Sequence, residues 1–283
     1  MDWDLMSQLE HLLHLVSQQD LAVYGIVVLF GLMIGSFVNV VVFRLPKTML
    51  DEPQIGKWPI LGVRSKCPSC EYIIRWYENV PVFSFLWLKG QCVNCQTTIS
   101  LRYPLIEMLV AAFAFLVFSY FGSTWEAMAY FAFCCILLAL SLIDFDRFLL
   151  PDALTLPAIW IGLFINAFEL LIPAREAILG AACGWVVLAA INTVYKFISN
   201  RDGIGRGDWK LTAAIGAWLG LNGLLTAVLI AFLLGAIVGI FLLIVSFRNH
   251  RAPVPFGPFL AIGGIIATFH GPDISNLYLD WLI

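Results

Sequence analysis

The stretch that decides the fold is LAVYGIVVLFGLMIGSFVNVVVF, Leu21 to Phe43, which contains no charged side chain. A bilayer's hydrocarbon core takes about 20 consecutive apolar residues as a helix, so this run spans one. Comparable runs follow at Leu105–Phe121, Ala127–Ile143, Ala153–Ile172, Ala177–Phe197 and Leu224–Phe247. Two shorter ones, Leu211–Leu221 and Phe256–Phe269, begin beside Gly or Pro, as broken helices inside a bundle do. The composition agrees: of 283 residues, 61% are hydrophobic and 12% charged, where a soluble domain carries roughly 25% charged residues. The expected fold is an all-α polytopic membrane protein with eight transmembrane helices, two of them short or broken.

Charge excludes some functions and orients the spans. Against 19 Asp and Glu the chain has 16 Lys and Arg, a net charge of -3, so it lacks the basic field that nucleic-acid binding requires. The first twenty residues carry Asp2, Asp4, Glu10 and Asp20 and no Lys or Arg. That is not the basic n-region of a cleavable signal peptide, and the first span is expected to remain as an anchor. Arg44, Lys47, Lys57, Arg64, Lys66, Arg75, Lys89 and Arg102 fall between the first two spans. With eight alternating spans, Arg147, Lys196, Arg201, Arg206, Lys210, Arg248 and Arg251 join them on one side, leaving Arg175 alone opposite. Lys and Arg mark the cytosolic face, so both termini are placed outside. Residues 1–43 then form an external N-terminus and first span, 44–104 a cytosolic loop domain, and 105–283 a transmembrane domain.

The loop domain holds Cys67-Pro68-Ser69-Cys70 and Cys92-Val93-Asn94-Cys95. Paired C-x-x-C turns at this separation suit a tetrahedral structural Zn²⁺ site, a zinc-ribbon-like arrangement with Cys67, Cys70, Cys92 and Cys95 as ligands. So small a segment has little core, and metal binding would supply much of its folding free energy. Spare reduced thiols or a redox pair are the alternatives. Cys134, Cys135 and Cys183 lie in apolar runs and read as small buried hydrophobes.

Among the acids, Asp144 ends the third span and Asp208 precedes the short run at Leu211. The alternation of spans places both at one depth, at the cytosolic edge of the membrane, where an ionisable group is a functional candidate by default. Two carboxylates in a partly desolvated site share a proton, one acting as general base toward water and the other as general acid, which is aspartic-protease chemistry. Gly203, Gly205 and Gly207 allow positive φ and close approach of an extended substrate, with Gly205 and Gly207 lining the substrate loop. The structural alternative makes Asp208 a helix cap and has Asp144 solvate its own helix end. Asp152, after Pro151, reads as an N-cap. Glu107, inside the second span, is a secondary candidate for cofactor contact.

These residues carry a family resemblance through the ordered blocks Gly35-Ser36-Phe37-Val38-Asn39-Val40, Arg44-Leu45-Pro46, the cysteine pairs, Trp76-Tyr77-Glu78-Asn79, Arg102-Tyr103-Pro104-Leu105-Ile106-Glu107, Ile143-Asp144 with Pro151-Asp152, Gly205-Arg206-Gly207-Asp208-Trp209-Lys210-Leu211, and Pro255-Phe256-Gly257-Pro258. Together they resemble the type IV prepilin peptidases, the leader peptidase and N-methyltransferase family of pilus assembly and type II secretion. The resemblance runs from Gly35 to about Gly264 and puts Asp144 and Asp208 on that family's two catalytic aspartates. It implies an inner-membrane aspartic protease of the G-x-G-D type. Such an enzyme cuts the short basic leader of prepilins or pseudopilins after a Gly on the cytosolic side, then methylates the new N-terminal residue with S-adenosylmethionine. Lys210 and Arg206 would face a basic leader, which makes Glu78 or Glu71 better leader contacts. No Gly-rich dinucleotide fingerprint follows a strand, so the methyl-donor site is expected to be irregular, formed by the cysteine loop and Glu107. The competing reading is a polytopic transporter whose intramembrane acids relay protons beside a regulatory zinc loop, although no inverted repeat is visible.

Overall fold

A computed structural model describes residues 21–50, 64–200, 203, 205–245 and 254–282, without the side chains of 21, 48–50, 243, 245 and 272–282. The acidic N-terminal segment, and Lys57, Arg201, Arg248 and Arg251 of the charge pattern, lie outside the described residues. The long helices are α1 (Leu21–Leu50), α3 (Arg102–Phe121), α4 (Trp125–Arg147), α5 (Asp152–Ala167), α6 (Ala174–Ser199), α7 (Arg206–Val245) and α8 (Gly257–Leu282), with a short α2 (Phe83–Trp87) in the cysteine loop. Among the described residues, 5 helices are long and apolar enough to cross a membrane, and α5 and the described part of α8 are shorter apolar helices. The only strand-like pairings described are two isolated bridges in the cysteine loop, Lys66 with Ile73 and Gln91 with Thr98.

Two apolar runs end where a side chain or a glycine intervenes. α7 has 40 residues, about 60 Å of continuous helix and twice the hydrocarbon thickness. Gly220 breaks it, with φ 70° and ψ -170°, a conformation that costs glycine little because it has no Cβ. The break falls where the sequence divides the Leu211 and Leu224 runs. The expected span Ala153–Ile172 is shorter in the structure: α5 stops at Ala167 with Phe168 as its C-cap, and Asn166 holds the turn that follows. Its Oδ1 accepts the N–H groups of Leu171 (3.1 Å) and Ile172 (3.2 Å) while its Nδ2 donates to Ala217 O (2.9 Å).

The chain packs as two units, residues 1–131 and 132–283. In the first, α1 lies antiparallel on α3 through small residues, as lipid-embedded helices do when van der Waals contact replaces the hydrophobic effect. A Cβ on Gly31 would lie 2.7 Å from Ala111 Cα, and one on Gly35 2.7 Å from Glu107 Cα. One turn further, Asn39 Nδ2 donates to Tyr103 O at 3.1 Å.

In the second unit the first half of α7 is the central element, packed on α5 and α6. Gly180 faces Gly216 backbone to backbone, and a Cβ on Gly184 would lie 2.7 Å from Thr212 O. Trp218, almost fully buried, stacks on Phe133 at 4.8 Å, covers Gly162 and donates its Nε1 hydrogen to Ala158 O at 2.8 Å. α8 returns along the second half of α7, with Gly263 against Ala227 and Thr226 Oγ1 bonded to Gly271 O at 3.2 Å. It also runs along α4, where Gly264 meets Leu137 and Gly257 meets Asp144.

Candidate functional site

Three helix ends meet around the aspartates of the second unit. Asp144 lies near the C-terminal end of α4, 6% exposed, beside fully buried Ile143. Its Oδ2 accepts the N–H of Gly257, the first residue of α8, at 3.0 Å. Asp208 stands inside the first turn of α7 rather than ahead of the helix, its N–H bonded to Gly205 O at 3.1 Å. The Asp208 carboxyl in turn takes a hydrogen bond from the Gly205 backbone. The reach back to Gly205 is half of a capping box, so helix capping describes part of what Asp208 does. Capping does not require a neighbouring acid, and Leu150, just beyond the end of α4 that carries Asp144, packs on Gly207 beside Asp208.

The glycines before Asp208 serve packing more than the sequence indicates. Gly207 is outside the left-handed region, and a Cβ there would lie 2.7 Å from Leu150 Cβ. A Cβ on Gly203 would lie 2.6 Å from the Tyr195 ring, and its N–H donates to Asn192 Oδ1 at 2.8 Å. Beside Gly205 the nearest atom is Asp208 Oδ2, 3.1 Å from where a Cβ would sit. Asp152 is not the N-cap of α5: Pro151 occupies that position and Asp152 lies in the first turn, where its charge suits the helix dipole. Its carboxylate pairs with Lys210. The Lys210 ammonium is therefore matched within the protein and adds little repulsion toward a basic peptide.

The cysteine loop of the first unit builds a second site. Cys67, Cys70, Cys92 and Cys95 bring their sulfurs within 4.8 Å of one another, with Cys67 and Cys95 at 3.7 Å and Cys70 and Cys92 at 3.9 Å. A tetrahedral metal–thiolate centre with bonds of about 2.3 Å has edges of about 3.8 Å. The two knuckles are built alike. Cys67 N–H bonds Tyr72 O and Glu71 N–H bonds Cys67 O, while Cys92 N–H bonds Thr97 O and Gln96 N–H bonds Cys92 O. Glu71 (φ 56°) and Gln96 (φ 57°) turn the chain in the left-handed region at equivalent places. The hydroxyl and N–H of Thr97 lower the Cys95 thiol to about 6, and the N–H groups of Ser69 and Cys70 lower Cys67. Asn94 Nδ2 donates to Cys70 Sγ at 3.6 Å. Cys134 and Cys135 are buried in α4, while Cys183 is half-buried.

Glu107 faces this loop from α3. Buried at 8% exposure, it accepts the N–H of Val82 on Oε2 at 2.8 Å. Val82 has φ 60° and ψ -48°, and Phe83 N–H bonds Pro81 O across it at 2.6 Å. This is a γ-turn of the rare positive-φ hand, strained for a β-branched residue. Beyond the turn a cavity of about 560 Å³ opens, with Tyr72, Tyr77, Phe83 and Trp87 in its wall beside Arg75 and Glu78. Glu78 is engaged within the loop, accepting from Tyr72 OH (3.1 Å) and Arg75 N–H (2.8 Å). Glu71 is exposed.

Residues 29–121 match the bacterial peptidase A24 N-terminal domain, and residues 131–240 match the type IV leader peptidase family. The chain belongs to the type IV leader peptidase family. Relatives called prepilin leader peptidase/N-methyltransferase resemble it along nearly its whole length. The one from Aeromonas salmonicida (strain A449) is 40% identical over 276 residues, covering 92% of this chain and 95% of the relative. The one from Pseudomonas aeruginosa is 39% identical over 284 residues, covering 95% and 98%, and that from Burkholderia pseudomallei is 41% identical over 263 residues, covering 86% and 84%. No solved structure matches the chain. The structure adds contacts that the sequence alone does not disclose: Gly257 on Asp144, Asn192 on Gly203, and Val82 on Glu107. Gly257 stands in the quoted Pro255-Phe256-Gly257-Pro258 block, so a signal existed there without a role. In the other two pairings Glu107 and Gly203 stand out in the sequence, while their partners Val82 and Asn192 are unremarkable in type.

Proposed function

We propose that this chain removes the short basic leader of type IV prepilins and pseudopilins after a Gly, at the cytosolic face of the inner membrane, and then methylates the new N-terminal amine with S-adenosylmethionine. What supports the proteolytic half is that Gly207, next to Asp208, packs on Leu150 just beyond the end of α4 that carries Asp144, in a chain of the leader peptidase family. One carboxylate takes a proton from water as its oxygen adds to the scissile carbonyl carbon. The other gives a proton to the departing amide nitrogen, and the C–N bond breaks to leave a leader carboxylate and a free pilin amine. Gly205 keeps the loop beside Asp208 clear of a side chain where the substrate backbone lies, while Gly207 makes room for Leu150. A prepilin presents a charged leader in the cytosol and an apolar helix in the bilayer, so its scissile bond lies at the cytosolic ends of α4 and α7.

The topology that goes with this reading has eight crossings, Gly220 dividing α7 into two of them, and both termini outside. Residues 1–43 form the entry span, 44–104 the cytosolic metal module and 105–283 the protease. The module holds Zn²⁺ through Cys67, Cys70, Cys92 and Cys95, a role supported by the spacing of their sulfurs. Four thiolates leave the metal no open position, so its work is structural. For the second reaction, S-adenosylmethionine supplies an electrophilic methyl group. The aromatic cavity of the module has the size and lining of a small-molecule site, and Glu107 acts on it through the Val82 turn.

Purified protein incubated with a prepilin, with and without S-adenosylmethionine, gives a product whose N-terminus is read by mass spectrometry. The expected result is cleavage in both arms and a 14-Da gain only with the donor, roughly one CH₂ as methyl transfer requires. Asp144→Asn and Asp208→Asn each abolish cleavage while inserting normally. Full cleavage by either variant refutes the dyad.

A further inference from the structure

The amide that holds Asp144 belongs to the first turn of α8, where it is the one N–H of residues 257–260 that the helix's own backbone does not take up. The first N–H groups of a helix have no partner inside it. In α8, Phe256 O accepts from Phe259 (3.1 Å) and Leu260 (3.2 Å), which makes Phe256 the N-cap. Pro258 has no N–H to offer. That leaves Gly257, whose N–H is donated to Asp144 Oδ2 at 3.0 Å across 113 residues of sequence. An N-cap side chain accepts from the second or third helical amide; the first one, on Gly257, is taken by a carboxyl from α4.

Space makes the same demand as hydrogen bonding. A Cβ on Gly257 would stand 2.5 Å from Asp144 Oδ2, 3.1 Å from its Cγ and 3.3 Å from its Cβ. Both residues are buried, so any side chain at 257 displaces the carboxyl. The left-handed backbone that often calls for glycine is not involved, because Gly257 is helical. What the position requires is a donor with nothing beside it.

We propose that Gly257 is a positioning residue for peptide cleavage: its amide pins Oδ2 of Asp144 and dedicates Oδ1 to the attacking water. The inference rests on the aspartate-pair reading and assigns unequal tasks to the two oxygens of one member. Oδ1 receives the water proton as the water oxygen bonds to the scissile carbon, while Oδ2 keeps its bond to the amide throughout. The helix dipole at the start of α8 stabilises the negative charge of a carboxylate held there.

The test uses full-length purified protein and two substrates, an intact prepilin and a pilin already freed of its leader. For Gly257→Ala, the expected kcat for cleavage falls about 100-fold or more with KM unchanged, since displacement of a catalytic group by about 1 Å costs that much. Methylation of the pre-cleaved pilin and the melting temperature in detergent both stay at the wild-type level, which together show that the protein is folded. Wild-type kcat in Gly257→Ala overturns the proposal, as does a loss confined to KM. Should Gly257→Ala fail to fold, replacement of residue 257 by glycolic acid, which exchanges the N–H for an ester oxygen and adds no bulk, decides the matter. The expected result is about a tenfold or greater loss in kcat for one missing hydrogen bond, and an unchanged kcat refutes the role. Asp144→Asn run alongside separates the levels: if it cleaves normally the dyad itself fails, whereas an inactive Asp144→Asn with fully active 257 variants removes only the task of Gly257.

Discussion

Replacing Glu107 by Leu tests how α3 shapes the cysteine loop. Val82 N–H is bonded to Glu107 Oε2 at 2.8 Å, and Val82 itself sits at φ 60°. Leucine fills similar volume but accepts nothing, so it removes a hydrogen bond worth about 1–3 kcal/mol when its loss strands a buried donor. At about 1.4 kcal/mol per tenfold, this corresponds to roughly 5- to 150-fold faster opening of the turn. The strain at Val82, of order 1–3 kcal/mol, adds to the tendency to relax once the acceptor is gone. Hydrogen exchange followed by mass spectrometry on a peptide covering Val82 reads the opening directly. Glu107→Leu should bring its amide exchange up within that range, while peptides from α7 keep their wild-type rates. Glu107→Gln retains an amide oxygen as acceptor and should lie near wild type. In the activity assays, Glu107→Leu should lower methylation and spare cleavage. Unaltered exchange at Val82 in Glu107→Leu would show that the turn is held by its own backbone and not from α3.

Metal removal should dismantle the loop domain: Cys92→Ser or a strong chelator is expected to eliminate bound zinc, measured by atomic emission, and to make residues 64–101 sensitive to protease. Gly184→Leu drives a side chain into Thr212 O and should part α6 from α7, lowering the melting temperature in detergent along with cleavage; a stable, active variant would contradict the glycine seam. Asn166→Leu leaves the N–H groups of Leu171 and Ile172 without their acceptor and should cost about 2 kcal/mol or more across the two bonds, read as a lower midpoint in denaturant. Lys210→Met breaks an ion pair whose carboxylate is 53% exposed, so stability should shift by less than about 1 kcal/mol.

Helices were legible where hydrophobic length alone decides them. The run at Leu21 and the division near Gly220 follow from what a bilayer tolerates, whereas the first helix runs on past Phe43 to Leu50, through Pro46. The turn that follows α5 was not legible, because it depends on Asn166, whose partners lie on that turn and on α7. No periodicity carries that information. At the site, the aspartates stood out because charges are scarce in spans, and the cysteines because their spacing repeats. Gly207 misled: its type signals conformational freedom, yet its position serves the Leu150 side chain. Distant pairings such as Gly257 with Asp144 arise only from tertiary packing, and the residue types do not announce them.

The tie between α8 and Asp144 also has a consequence for biosynthesis. Asp144 leaves the ribosome well before Asp208, and the amide that holds it follows 113 residues behind. An emerging chain with α4 in the membrane thus has an aspartate with neither its partner nor its anchor. On the proposed mechanism hydrolytic competence arrives late, once α8 has docked, and a chain stalled or truncated before Gly257 would be a harmless insertion intermediate instead of an unregulated protease in the bilayer.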